Sequence, residues 1–298
     1  MPTAPPPSKK LTPVLAVATV LAYATGYPLG SASVAVMPPG LVILLRFVAS
    51  AVVLWLIVAA LRLPMPPPGR LHNAVIAGLL IQGVQFLFLY WALANGVSAG
   101  LSSLIIALNP VVTSMILTIW TSHRESPRGR VALALGAAAV VVACTPMILE
   151  DYSLGLPLLS VIIALLGLSF GAIQQGRHLT GVHPLVITAI GVTVSIPFAG
   201  VVALFEPGNV TDWPRALWLI AAMVVFSSIG ATTLYATCVA RSGARAASIL
   251  FSVIPATASL LAWVGLGQDL SVFTVVGIVL GASACLVQAS DRSRAPST

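Results

Sequence analysis

Residues 89–110 read LYWALANGVSAGLSSLIIALNP, and residues 234–255 read LYATCVARSGARAASILFSVIP. Laid over each other at an offset of 145 residues, they align Leu89-Tyr90 with Leu234-Tyr235, Ala99 with Ala244, Ser103 with Ser248 and Pro110 with Pro255. Carried outward without a gap, the same offset places Gly26 on Gly171, Pro39 on Pro184 and Gly136-Ala137 on Gly281-Ala282. Alanine and leucine match by chance in such a chain, whereas glycine, proline and tyrosine do so less readily. A fixed period of this kind is the mark of a repeated structural unit. The chain therefore divides into residues 1–148 and residues 149–298.

Composition says what solvent this unit meets. Of the 298 residues 58% are hydrophobic and 7% charged, with a mean hydropathy of +1.05. A soluble domain carries about a quarter charged residues, so this chain cannot cover a water-facing surface. That excludes a soluble enzyme, a nucleic-acid binder and a disordered chain. Stretches of about 20 apolar residues read as membrane-spanning helices, and ten are present: 12–35, 39–61, 71–93, 98–120, 128–148, 155–175, 184–205, 214–238, 246–266 and 270–289. Breaker residues mark the joints, among them Pro66-Pro67-Pro68-Gly69, Asn95-Gly96 and Pro207-Gly208-Asn209. Gly26-Tyr27-Pro28-Leu29-Gly30 is expected to interrupt the first span. Lys9-Lys10, an apolar run and Ser31-Ala32-Ser33 imitate a cleavable signal. The counterpart of this span in the second unit favours a retained helix.

The charges supply an orientation. Lys9, Lys10, Arg62, Arg70, Arg124, Arg128, Arg130, Arg177, Arg241, Arg245, Arg292 and Arg294 fall on one side of a ten-span chain. The alternate loops hold Glu150, Asp151, Glu206, Asp212 and Asp269, with Arg215 their one base. By the positive-inside rule both termini are expected in the cytoplasm, with the chain in the inner membrane. Five spans per unit is an odd number, so the second copy enters the membrane from the opposite side. The expected fold is all-α: ten transmembrane helices as two inverted five-helix repeats. Such repeats place a substrate site near the bilayer midplane and support alternating access. The sequence thus points to a carrier.

The residues also resemble a family. Tyr90-Trp91-Ala92-Leu93-Ala94-Asn95-Gly96-Val97-Ser98-Ala99, continuing through Leu104 to Asn109-Pro110, resembles the first EamA repeat of the drug/metabolite transporter superfamily. Leu234-Tyr235-Ala236, through Ser242-Gly243-Ala244-Arg245-Ala246-Ala247 to Ile254-Pro255 and on to Gly281, resembles the second. Arg46-Phe47 is similar to the family's Arg-Phe pair. The resemblance covers nearly the whole chain. It implies a secondary transporter of a small organic metabolite, with export as its direction; importers and drug-efflux carriers belong to the same superfamily. The chain departs from the family where a Trp-Gly pair is usual, having Thr25-Gly26 and Phe170-Gly171, and where a Gly-Glu pair is common, having Gly267-Gln268-Asp269.

Several residues are candidates for the site. Arg46 lies about two turns inside the second span, where an arginine costs about 2.5–3.5 kcal/mol on insertion scales. Two uses offset that cost. The side chain snorkels or caps carbonyls freed at Gly26–Gly30, or it holds a substrate carboxylate in a bidentate contact. Gln82 and Asn109 are amides expected near the midplane, with Gln85 beside them; they bind substrate or bond neighbouring helices. Gln174 and Gln175 are expected near the inner interface. Tyr23 and Tyr27, one turn apart, are cavity candidates, while Tyr90 and Tyr235 at matching span ends are expected in the aromatic belt. Gly26, Pro28, Pro110 and Pro255 are expected to shape the cavity or act as hinges, because a proline removes one helical hydrogen bond. Gly136 and Gly281 are expected to mark close helix contacts.

Other chemistries find less support. Gly167-Leu168-Ser169-Phe170-Gly171 matches the nucleophile-elbow pattern of an intramembrane serine hydrolase, but that motif needs a strand-turn-helix setting. His72, His123, His178 and His183 all map to loops or span ends, away from Ser169 and without the partners of a metal site. Cys144, Cys238 and Cys285 are dispersed in apolar runs and read as packing residues. No phosphate-binding loop is present, so ATP is not the direct energy source. No cofactor, metal or nucleic acid is expected; the partners are the substrate, membrane lipid and at most a second copy of the chain. All seven acids lie in loops or at span ends. The one deep charge is positive, so the expected substrate is neutral, zwitterionic or carboxylate-bearing rather than a permanent cation.

Overall fold

The computed structural model describes residues 13–121, 127–150, 155–234, 237–238 and 249–291. The chain is all-α, and no strand occurs among the described residues. Among the described residues ten main helices follow one another: α1 Pro13–Val34, α2 Pro39–Ala60, α3 Pro68–Ala94, α4 Ala99–Trp120, α5 Pro127–Glu150, α6 Gly155–His178, α7 Pro184–Phe205, α8 Trp213–Leu234, α9 Ile254–Leu266 and α10 Val272–Asp291. Seven of them, α1–α4 and α6–α8, are long and apolar enough to cross a bilayer; α9 is a shorter apolar helix, as is the stretch Val272–Val287 of α10. A 22-residue helix such as α2 is about 33 Å long, the thickness of the hydrocarbon. Lys9, Lys10, His123, Arg124, Asp151, Tyr235, Arg241, Ala244, Arg245, Ser248, Arg292 and Arg294 lie outside the described residues.

Proline and short polar residues set where the helices begin. Pro13, Pro39, Pro68, Pro127 and Pro184 each open a helix, where the missing N–H costs nothing and the fixed φ is already helical. Ser98 caps α4 through the Leu101 N–H (3.2 Å), and Asp212 caps α8 through the Arg215 N–H (3.0 Å). Two further caps come from unusual sources. The Glu206 carboxylate, after α7, accepts from the Gly40 N–H at 2.6 Å; His183 Nδ1 accepts from the Leu185 N–H at 3.3 Å. Gly40 and Leu185 are equivalent at the 145-residue offset, so each repeat closes the same helix end with its own chemistry. Gly267, at φ 65°, ends α9 in the left-handed region.

The pairing of helices follows the repeat. α2 packs along α7, α4 along α9 and α5 along α10, three pairs of equivalent helices. α3 packs on α6 as α8 packs on α1. A Cβ on Gly281 would approach Leu104 and Ala139, one on Gly136 would meet Leu108, and one on Gly277 would press on Ala143, so the small residues of α5 and α10 do mark close contacts.

Two features depart from the sequence expectation. First, α1 runs unbroken through Pro28, where a break was expected. Gly26 and Gly30 instead admit neighbours, since a Cβ there would meet Ser227 and Tyr90. A mid-helix proline is tolerated in lipid when packed protein surrounds it, and Pro28 is buried. Second, α3 and α8 each contain wide π-helical turns, at Leu79–Val84 and Met223–Ala231, in equivalent places. Such bulges carry no composition signal and favour functional positions.

Candidate functional site

A cavity of about 190 Å³ lies between the repeats. Its walls come from α1 (Tyr23, Gly26, Tyr27), α2 (Arg46), α3 (Ile81 to Leu93), α4 (Ile106, Ala107, Asn109), α6 (Leu168), α7 (Thr188, Val192), α8 (Ser227, Ser228, Thr232) and the entry to α9 (Phe251, Ile254). No described residue of α5 or α10 lines it. Drug-sized pockets occupy roughly 300–1,000 Å³, so this space suits a smaller molecule.

Arg46 is part of the lining and only 2% exposed. Its Nε donates to Ser228 Oγ (3.2 Å), Nη1 to the Tyr90 hydroxyl (3.0 Å) and Nη2 to Ser227 Oγ (3.3 Å). The guanidinium carbon stands 4.3 Å from the centroid of the Phe86 ring, a cation–π contact. It neither snorkels nor caps carbonyls of α1. Its partners are hydroxyls from the other repeat and from α3, none of which carries charge. Among the described acids, neither Glu206, Asp212 nor Asp269 lines the cavity.

The offset explains why Arg46 fits. Its equivalent in the second repeat is Gly191, and the equivalent of Met223 is Gly78. At one crossing between the repeats α3 and α7 touch backbone to backbone, since a Cβ on Gly78 would lie 2.4 Å from the Gly191 Cα. At the equivalent crossing of α2 and α8 stand a long cation and a methionine, whose Sδ receives the Tyr90 hydroxyl at 3.1 Å. The cation therefore occupies space that its counterpart has closed.

The amides lie on the other side of the pseudo-symmetry. Gln82 is equivalent to Ser227, and both ride on π-helical turns. Asn109 is held from two sides, Oδ1 accepting from Ser169 (2.9 Å) and from Thr113 (3.1 Å), which leaves its Nδ2 to donate. Gln85 is only 7% exposed, lines the cavity and has no side-chain hydrogen bond to a described residue. Pro110 and Pro255 do not line the cavity, but Ile106 and Phe251, whose carbonyls a residue with an N–H would bond there, both do. Pro28 is likewise outside the lining, whereas Gly26, Tyr23 and Tyr27 belong to it.

Tyr90 requires a correction. Expected in the aromatic belt, it is 1% exposed and bonded to Arg46, because Gly30 leaves room for its ring beside α1. Gln174, near the end of α6, donates to Asn73 Oδ1 near the start of α3 at 2.7 Å. Sequence reasoning missed Ser227, Ser228 and Phe86. The offset held the signal for Ser227, as the partner of Gln82.

Helices in equivalent pairs around a central, partly polar cavity define a two-repeat helical membrane protein. The EamA-like transporter family model matches residues 10–145 and again residues 155–289. The chain belongs to the EamA-like transporter family, consistent with the drug/metabolite transporter superfamily. No curated protein matches it. Solved structures similar in fold include a crystal structure with a TM-score of 0.65 at 18% identity over 95% of this chain and 98% of that one.

Proposed function

We propose that this protein is a secondary transporter that carries a small organic metabolite across the inner membrane by alternating access, outward from the cytoplasm. The carrying observation is the cavity itself: both repeats line it, and Tyr23, Gln82 and Asn109 among its polar groups sit near the middle of their helices. Mid-membrane amides and a cation are costly unless function or partners offset them. Residues 1–148 and 149–298 act as the two units that rock about the site. The substrate meets Arg46, Gln82, Gln85, Asn109, Tyr23 and Tyr27, while Gly26, Pro28, Pro110 and Pro255 shape the path. Both termini lie in the cytoplasm, as the basic loops favour, and the unit is a monomer or homodimer.

Coupling does not run through an intramembrane carboxylate, in keeping with a lining that has none among the described residues. A permanent cation would meet Arg46 without a compensating anion, in surroundings that screen poorly. The rival reading, hydrolysis at Ser169, loses its base: that hydroxyl donates to the Asn109 amide oxygen, which takes no proton at neutral pH. Counterflow in proteoliposomes tests the proposal, comparing organic acids and amino acids with a quaternary ammonium dye. Exchange of the former is expected; robust pH-driven dye transport would overturn the reading.

A further inference from the structure

Arg46 is a buried cation whose protein partners are all neutral. An uncompensated buried charge is strongly unfavourable, and hydroxyls and a phenyl face offset only part of it. The remaining requirement is one negative charge. What enters the cavity can supply it, since none of the described residues of the lining is a carboxylate.

The surroundings narrow that anion further. Ser227 and Ser228 accept from the guanidinium and keep their own O–H to donate toward an anion beside it. Away from this pole the polar groups are interspersed with apolar side chains such as Leu89, Ile106 and Ile254, which asks for an organic body rather than an inorganic ion. Gln85 then presents an unpaired amide within the cavity though it is more than nine-tenths buried. Asn109 presents Nδ2. Each asks for a second hydrogen-bonding group on the ligand. A single cation does not match a doubly charged phosphate, and a zwitterion would leave the net charge of the cavity unchanged.

Resting on the transporter reading above, we propose that the cavity takes an organic monocarboxylate of net charge −1, its carboxylate on Arg46, Ser227 and Ser228 and an uncharged hydrogen-bonding substituent on Gln85 and Asn109.

The test is a charge series on one carbon skeleton: leucine, its α-hydroxy acid analogue, and the amide of that hydroxy acid. Binding to the purified full-length protein in detergent is measured by thermal shift and titration calorimetry, and exchange by counterflow. The hydroxy acid is expected to bind at least tenfold more tightly than either neutral relative. The Ser227→Ala/Ser228→Ala double variant, which keeps Arg46 and its packing, is expected to weaken hydroxy-acid binding several-fold, and Gln85→Leu to narrow the gap between the hydroxy acid and its deoxy analogue. Equal binding of acid and amide, tighter binding of leucine, or no binding of the hydroxy acid would each overturn the proposal. Counterflow of neutral compounds alone would leave the carrier standing and this substrate class refuted. Tight binding of the hydroxy acid without counterflow would support the site and refute the carrier.

Discussion

Arg46 shows how far one residue can be read. Its depth and cost were legible from position in the second span. Its partners were not, because two of the three come from residues 181 and 182 positions away. Tyr90 looked like a belt aromatic for the same reason: nothing local says that Gly30 opens a slot for its ring. Tyr90→Phe should remove the hydrogen bond from Arg46 and the weaker one to Met223 Sδ while keeping the ring, costing about 0.6–2 kcal/mol. A small fall in melting temperature of the purified protein checks this; a fall as large as that of Arg46→Leu would mean that Tyr90 alone holds the cation. Ser169→Ala frees Asn109 Oδ1 from one of its two hydroxyl donors. Transport should fall by less than tenfold and remain measurable in vesicles, whereas complete loss would return Ser169 to a central chemical role.

At the scale of elements, the crossing of α3 and α7 is a constraint set by backbone against backbone. A Cβ on Gly78 meets backbone, which cannot rotate away, so Gly78→Ala must push two helices apart. Overpacking of this kind costs about 1–3 kcal/mol or more. Gly69, with no atom near its would-be Cβ, is the control: Gly69→Ala should leave yield and melting temperature unchanged while Gly78→Ala lowers both. Size-exclusion profiles and thermal unfolding measure the difference. Helix number and order were readable, since apolar length and prolines encode them locally. The π-helical turns were not. They arise where α3 and α8 adapt to neighbours, and no residue type announces them.

For the whole molecule, the described contacts sort into two ends. Arg70 Nη1 donates to the Thr180 carbonyl (3.0 Å) at one. At the other, Gln268 joins α1 and α4 through Ser31 (2.9 Å) and the Ala99 N–H (3.2 Å), and the Thr211 N–H bonds the Val36 carbonyl (2.9 Å). With the native cysteines replaced, a cysteine at Asp269 should react with an impermeant maleimide from outside intact cells. One at Arg62 should react only after lysis. The reverse pattern would invert the proposed orientation. The inverted repeat was visible in aligned glycines and prolines; the chemical inequality of its halves needed the pairing of α2 with α8 and of α3 with α7.

That inequality reaches beyond the contents of the cavity. Two identical halves would make the inward-open and outward-open forms interchangeable by the pseudo-two-fold axis, equal in free energy and equally populated. A cation facing a glycine across that axis lifts the degeneracy, and each 1.4 kcal/mol of bias shifts the ratio about tenfold. On the proposed mechanism, the resting protein is therefore a one-sided molecule, and the ligand that neutralises Arg46 also resets which side it faces.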